Sequence, residues 1–170
     1  MKKKEKRVVA LDTSTKVTGW ALFIDGKYKR SGSIDMHKVK ESEQRTRDMC
    51  FHVTALINKL KADEVVIEEL PSMRNMRTVR ALSRVIGSIF YYCTSKGIEY
   101  EEISCAVWRS VFGIDNRNRD NAKEMSINRI KLVYHKSVSD DEADAINIGE
   151  AYCVRKGYAE LKEGKIRGIR

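Results

Sequence analysis

Four carboxylates stand where acids are costly or unexpected. Asp12 closes the apolar run Val8 to Leu11, and Glu68 sits inside the run VVIEE. Asp141 and Asp144 lie three residues apart, about 60° around a helical wheel, on a stripe continued by Ile148 and Tyr152. An acid in apolar surroundings is unfavourable unless it is paired or binds a metal. Four hard oxygen donors from separate segments, with few histidines or cysteines near them, suit Mg2+ or Mn2+ rather than zinc. Such a set can hold two ions roughly 3.5–4 Å apart, one activating water and the other stabilising the leaving oxygen of a phosphodiester. Each acid also has a plainer role open to it. Asp12 can open a turn, Glu68 can be an exposed strand residue, and Asp141 follows Ser139 in a Ser-x-x-Glu capping box with Glu142. Asp144, between Ala143 and Ala145, lies beyond that first helical turn. The joint placement carries the argument.

The rest of the chain is basic. In 170 residues, 33 Lys plus Arg face 24 Asp plus Glu, a formal charge of +9, which points to a polyanionic partner held against an acidic pit. Hydrophobic residues make up 42%, enough for one compact core, and a single proline with ten glycines argues against disorder. No apolar run is long enough to span a bilayer. The basic start MKKKEKR leads into VVALDTSTK rather than a signal-peptide core. Cys50, Cys93, Cys105 and Cys153 show neither CxxC nor zinc-ligand spacing and read as reduced structural thiols. The expectation is a cytoplasmic protein of one domain over 1–170 with basic terminal extensions, without membrane or organic cofactor.

The elements that must position the acids follow from periodicity. Strands are expected over Val8–Leu11, Val17–Ile24 and Tyr28–Ile34, the last two joined by an Asp25-Gly26 turn. A helix over His37–Leu60 precedes a buried strand, Glu64–Leu70, ended by Pro71. Thr78–Ser95 is a second helix, with Leu82, Ile86, Ile89, Phe90 and Cys93 on one apolar stripe and Gly97 as its stop. Ile98–Ile103 alternates with acids and reads as an edge strand. Helices over Ala106–Phe112, Ala122–Tyr134 and Asp140–Arg155 complete the chain. This order predicts an α/β domain with a mixed five-stranded sheet, its first three strands antiparallel, flanked by helices.

At these residues the chain resembles a known family. LDTSTKVTGWALF (Leu11–Phe23) looks like the first motif of the RuvC-type Holliday junction resolvases, VVIEEL the second, and DEADAINIGEAY (Asp141–Tyr152) the closing helix. AVWRSVFG, followed by Lys123 in NAKEMSINRI, is similar to the segment where the family carries a basic residue near the cleaved strand. The match runs in order from about residue 8 to 154. It implies an RNase H-like fold and a two-metal phosphodiester hydrolase that nicks branched DNA. Asp12, Glu68, Asp141 and Asp144 would then be the metal ligands for two Mg2+ ions, with Mn2+ substituting. It also implies a homodimer, with the helix Thr78–Ser95 at its interface or, equally, packed into the core. The chain lacks the family's usual Pro-Gly after the first Asp and looks more like a phage-encoded member. It also lacks the aromatic that bacterial members tend to carry after the second-motif Glu, which implies relaxed selectivity for junctions over forks or flaps; Met73 or Met76 is a candidate apolar wedge in its place.

Basic residues mark where DNA would lie. Arg74, Arg77, Arg80 and Arg84 recur at helical spacing just after the catalytic strand and form a face opposite Leu82 and Ile86, suited either to solvent or to phosphate. Arg117, Arg119 and Lys123 offer a second patch, with Lys123 the candidate for supporting transition-state charge. Lys2, Lys3, Lys4 and the 165–170 tail would add nonspecific affinity at most. Three other readings compete. A related RNase H-like ribonuclease shares the first motif, but the VVIEEL strand disfavours it. An actin-like kinase would need a second Asp-x-Gly turn and a Gly-Gly adenosine motif, and neither is present. A non-catalytic architectural DNA-binding protein would not need all four acids.

Overall fold

Alternation along the first strand sets the layout of the molecule. The computed structural model describes residues 5–70, 75–114 and 118–161, the side chain of Arg119 excepted. In β1 (Arg7–Asp12), Val8 and Ala10 face one core while Val9 and Leu11 face another, and all four are fully buried. A strand covered on both faces has no polar side, which is why this segment reads as an unbroken apolar run. Beside it, β2 (Val17–Ile24) and β3 (Lys27–Asp35) add antiparallel, while β4 (Glu64–Glu68) and β5 (Glu99–Ile103) add parallel on the other side. The sheet order is β3-β2-β1-β4-β5. The expected mixed sheet is therefore present, with its acid-rich strand at the edge.

Helices cover both faces. On one, α1 (Ser42–Leu60) and α2 (Met76–Lys96) bury Met49, Val53, Ile57, Val85, Ile89 and Cys93 against Val9, Leu11, Val65 and Ile67. On the other, α3 (Cys105–Phe112), α4 (Arg119–Tyr134) and α5 (Asp140–Arg155) close over Val8, Ala10, Phe23 and Val66. From Ala143 to Cys153 every residue of α5 is buried. Its close seat on the sheet requires two glycines. A Cβ on Gly149 would come within 2.3 Å of the Phe23 ring, and one on Gly19 would lie 1.9 Å from the Asp141 carbonyl oxygen.

Several boundaries differ from the sequence expectation for local reasons. The first helix starts at Ser42, not His37, because Glu41 caps it by accepting from the backbone N–H groups of Glu43 and Gln44. Asn75 caps α2 in the same way, so that helix starts at Met76, two residues before the expected Thr78. Phe90 is not on the core stripe of α2: the buried row is Leu82, Val85, Ile89 and Cys93. Phe90 lies one residue, about 100°, beyond Ile89. It is 54% exposed and meets Tyr100 edge-on at 5.4 Å between ring centroids. Ser139 caps α5 as expected, but the Glu142 carboxylate accepts from the Ser31 hydroxyl of β3 and so ties the helix to the sheet. Arg74, Arg117, Met73, Pro71, Lys2–Lys4 and the 165–170 tail lie outside the described residues. Among the described residues, no helix is long and apolar enough to cross a membrane.

Candidate active site

The pleat puts two of the acids side by side. Asp12 shares the face of Val8 and Ala10, and Glu68 shares that of Val66, so both point towards α5. The parallel register pairs Leu11 with Ile67, leaving Asp12 and Glu68 as the next residues at the ends of adjacent strands. The N-terminal end of α5 lies over the start of β2 at Gly19 and brings Asp141 and Asp144 to the same end. All four acids line one cleft of about 600 Å³. Thr13, Ser14 and Thr15 of the β1–β2 loop, Leu70, and Thr78, Leu82 and Ile86 of α2 are among the other residues of its walls.

The loop after Asp12 is held by its own hydroxyls. Ser14 Oγ accepts from the Lys16 and Val17 backbone N–H groups, and the buried Thr18 hydroxyl donates to the Ser14 carbonyl at 2.9 Å. Glu68 is oriented by Trp108 of α3, whose indole N–H donates to Oε2 at 2.8 Å. Trp108 is fully buried, and a buried indole N–H needs such an acceptor. Asp144, 8% exposed, accepts from the Ser126 hydroxyl of α4. Lys123 Nζ donates to Asp140 at the rim.

Crowded carboxylates raise one another. Burial, then the charges of Asp144, Glu68 and Asp141, hold the Asp12 carboxyl well above the usual carboxylate range. Burial also raises Asp141, with Asp140 adding to it. Asp144 is raised by burial despite the Ser126 hydrogen bond and the nearby Arg109. Asp140, by contrast, is lowered by its hydrogen bond from Lys123. Cys105, also on the cleft wall, has its thiol pushed up to about 11 by burial and the charge of Glu68, which makes it a poor nucleophile. No disulfide joins any of the four cysteines.

The cleft thus gathers Asp12, Glu68, Asp141, Asp144 and Lys123. It does not gather the arginine stripe. Arg77, Arg80 and Arg84 are exposed, on the side of α2 opposite the cleft-lining Thr78, Leu82 and Ile86. Four residues had no site role in the sequence reading: Arg109, which lines the cleft with its guanidinium 5.0 Å from the Trp108 ring centre, and Trp108, Ser126 and Asp140. The only signal for Trp108 was a bulky polar-tipped aromatic in a short helix; for Ser126 there was none. Among the described residues, no group of three or more His, Cys, Asp or Glu side chains already has the arrangement of an assembled metal site.

Comparison with known proteins gives a consistent result. Residues 8–152 match the family model described as crossover junction endodeoxyribonuclease RuvC. Proteins of that name from Magnetococcus marinus and Brachyspira hyodysenteriae are 24% and 29% identical over 148 and 127 residues. These alignments cover 84% and 74% of this chain and 81% and 77% of the relatives. Among solved structures, Thermus thermophilus RuvC in complex with Holliday junction substrate superposes with a TM-score of 0.67 at 13% identity, covering 91% of this chain and 98% of that one. Fowlpox virus resolvase with its substrate Holliday junction DNA gives 0.62 at 15% identity, covering 88% and 98%. These two likenesses establish the shared fold.

Proposed function

The chain belongs to the RuvC family of crossover junction endodeoxyribonucleases, and from that premise we propose that it nicks four-way DNA at the cleft between the ends of β1 and β4 and the first turns of α5. The observation that supports this most is the convergence of Asp12, Glu68, Asp141 and Asp144, from three elements, on one cleft. The donor set fits hard divalent ions. All four groups are carboxylates, and Asp12 is held against its charged form by burial and by its neighbours, a situation that a cation relieves. Asp12, Glu68, Asp141 and Asp144 would hold two Mg2+ ions, with Mn2+ substituting. When bound, such ions supply an activated water and stabilise the leaving oxygen of a phosphodiester.

The protein's own residues do the rest by position and charge. Trp108 keeps Glu68 aimed into the cleft, and the hydroxyl-locked loop keeps Asp12 at its strand end. Lys123 and Arg109 place positive charge on the cleft wall, where a phosphate gathering negative charge would be stabilised. Arg77, Arg80 and Arg84 would meet phosphates away from the scissile bond, extending the DNA path over α2, and Arg74, Arg117 and Arg119 would add to it. A four-way junction needs two matched nicks, so this reading takes a homodimer. The C-terminal half of α2, beyond the arginines, supports that contact: Phe90 and Tyr91 are 54% and 74% exposed while the inner side is core.

The test is direct. Asp12→Asn and Glu68→Gln are each expected to bind a four-way junction and fail to nick it in Mg2+ or Mn2+. Unchanged nicking by both variants overturns the assignment. Forked and flapped DNA run beside the junction measure structure preference.

A further inference from the structure

Between α4 and α5 lies a row of buried polar side chains that the proposed reaction does not account for. Ser126 and Arg129 of α4 and Asn147 and Glu150 of α5 are each 3% exposed or less. Arg129 Nη2 stands 2.9 Å from Glu150 Oε1, close as an ion pair though outside hydrogen-bond geometry. The Arg129 guanidinium also lies 3.6 Å from the Phe112 ring centre, and the Tyr134 hydroxyl donates to Glu150 Oε2 at 2.7 Å. A buried ion pair is weak evidence for stability, because removing both charges from water costs about as much as their attraction returns. Its place in the fold points to a different use.

The row has a fixed direction. A guanidinium can only donate, and Arg129 Nη1 donates to Asn147 Oδ1 at 2.7 Å. That turns the Asn147 amide nitrogen towards Ser126, where it donates to Oγ at 2.7 Å. With Oγ engaged as acceptor, the single hydroxyl proton of Ser126 is left for Asp144 Oδ1. The chain of donors therefore runs one way, from Arg129 to the acid. Asp144 sits on the cleft with one oxygen engaged and its rotation restrained from behind.

We propose that Ser126 is a positioning residue for Asp144, set in its donor role by the Arg129–Asn147 pair, so that Asp144 presents its other oxygen to divalent cations in the cleft. The inference rests on the metal reading of that cleft and deepens it. The polar seam between α4 and α5 then has a purpose that an apolar one cannot serve: it fixes the orientation of one carboxylate and docks the helix that also carries Lys123.

The experiment measures Mn2+ binding to metal-free full-length protein by calorimetry and by the electron paramagnetic resonance of free Mn2+, beside melting temperature and junction nicking. Ser126→Ala removes only the hydroxyl, and it is expected to weaken Mn2+ binding about 10-fold, the lower end of the range for loss of a group supporting a metal ligand. Its melting temperature should fall by only about a few degrees, the cost of leaving the Asn147 amide without that acceptor, and its nicking should return as Mn2+ is raised. Asn147→Ala leaves the hydroxyl but frees its direction, and should weaken Mn2+ binding by a smaller factor. Ser126→Ala binding Mn2+ as tightly as wild type overturns the role of Ser126 while leaving the cleft's function intact. Loss of binding only in step with a large fall in melting temperature, without rescue by Mn2+, also overturns it. Wild-type protein that binds no Mn2+ overturns the metal reading and this inference together.

Discussion

Two glutamates on β4, four residues apart and on the same face of the sheet, meet opposite fates. Glu64, at the start of the strand, is fully buried and paired through one oxygen: Lys6 bridges to Oε1 and the Tyr158 hydroxyl donates to the same oxygen at 2.8 Å. Burial pushes its carboxyl up, but those bonds win and it lies below the usual range. Glu68, at the other end, shares its cleft with Asp12, Asp141 and Asp144, and Asp12, raised by burial and by the charges of the other three, is held well above the usual range. One end of the sheet has neutralised its charge with its own residues. The other has gathered acids around a space, with Arg109 and Lys123 on its wall. The contrast separates an acid paired within the fold from acids crowded together around a space.

The sharpest way to break this comparison is to neutralise one acid at each end. Asp12→Asn should cut junction nicking by at least about 10²–10³-fold, the scale for losing one electrostatic stabiliser. It should also raise the melting temperature of the metal-free protein by about 2–4 °C, as expected if relief of repulsion is worth about 1 kcal/mol in a chain of this size. Glu64→Gln should do the reverse, costing about 1–3 kcal/mol of stability in denaturant titrations while leaving the nicking rate per folded molecule unchanged. If both variants destabilise equally, the distinction between the ends fails.

A backbone change tests whether the acidic end depends on close seating of α5. Gly19→Ala places a methyl against the Asp141 carbonyl, and either the helix turn or the strand must shift. We expect a cost of about 1–3 kcal/mol from the overpacking, with reduced nicking even after correction for unfolded protein.

Acidity separates the ends by sign. The lowered Glu64 contributes stability above its unfolded value of 4.5, and that contribution is lost as pH falls through its lower folded value. The raised Asp12 opposes folding while charged, and that penalty fades as pH falls through its raised folded value. The stability gain of Asp12→Asn should therefore shrink on acidification before the loss of Glu64→Gln does, as thermal melts of metal-free protein across pH will read. The smallest expected effect is on α2. Replacing Arg77, Arg80 or Arg84 with Ala should lower the salt-dependence slope of junction binding by about one each, without changing the nicking rate of bound DNA.

Much of this was legible in the chain. Asp12 and Glu68 stood out because a charge in a run such as VVIEE contradicts the strand's burial on both faces. The edge position of β5 showed in its alternating acids, and the Ser139 cap in its spacing from Glu142. Phe90 was misplaced because an apolar residue on a helix does not reveal which of two adjacent apolar rows faces the core. The arginine stripe was recognised as a face, but only the position of α2 beside the cleft shows that the face turns away from the acids. The strand and helix order and the family were readable from the chain, since these depend on local periodicity and motif spacing, whereas the meeting of Asp12, Glu68, Asp141 and Asp144 in one cleft required the fold. Tertiary structure alone decided which groups restrain those acids. Trp108 lies 40 residues from Glu68 and Ser126 lies 18 from Asp144. A hydrogen bond across such a distance depends on helix docking, and no local pattern in the chain encodes it.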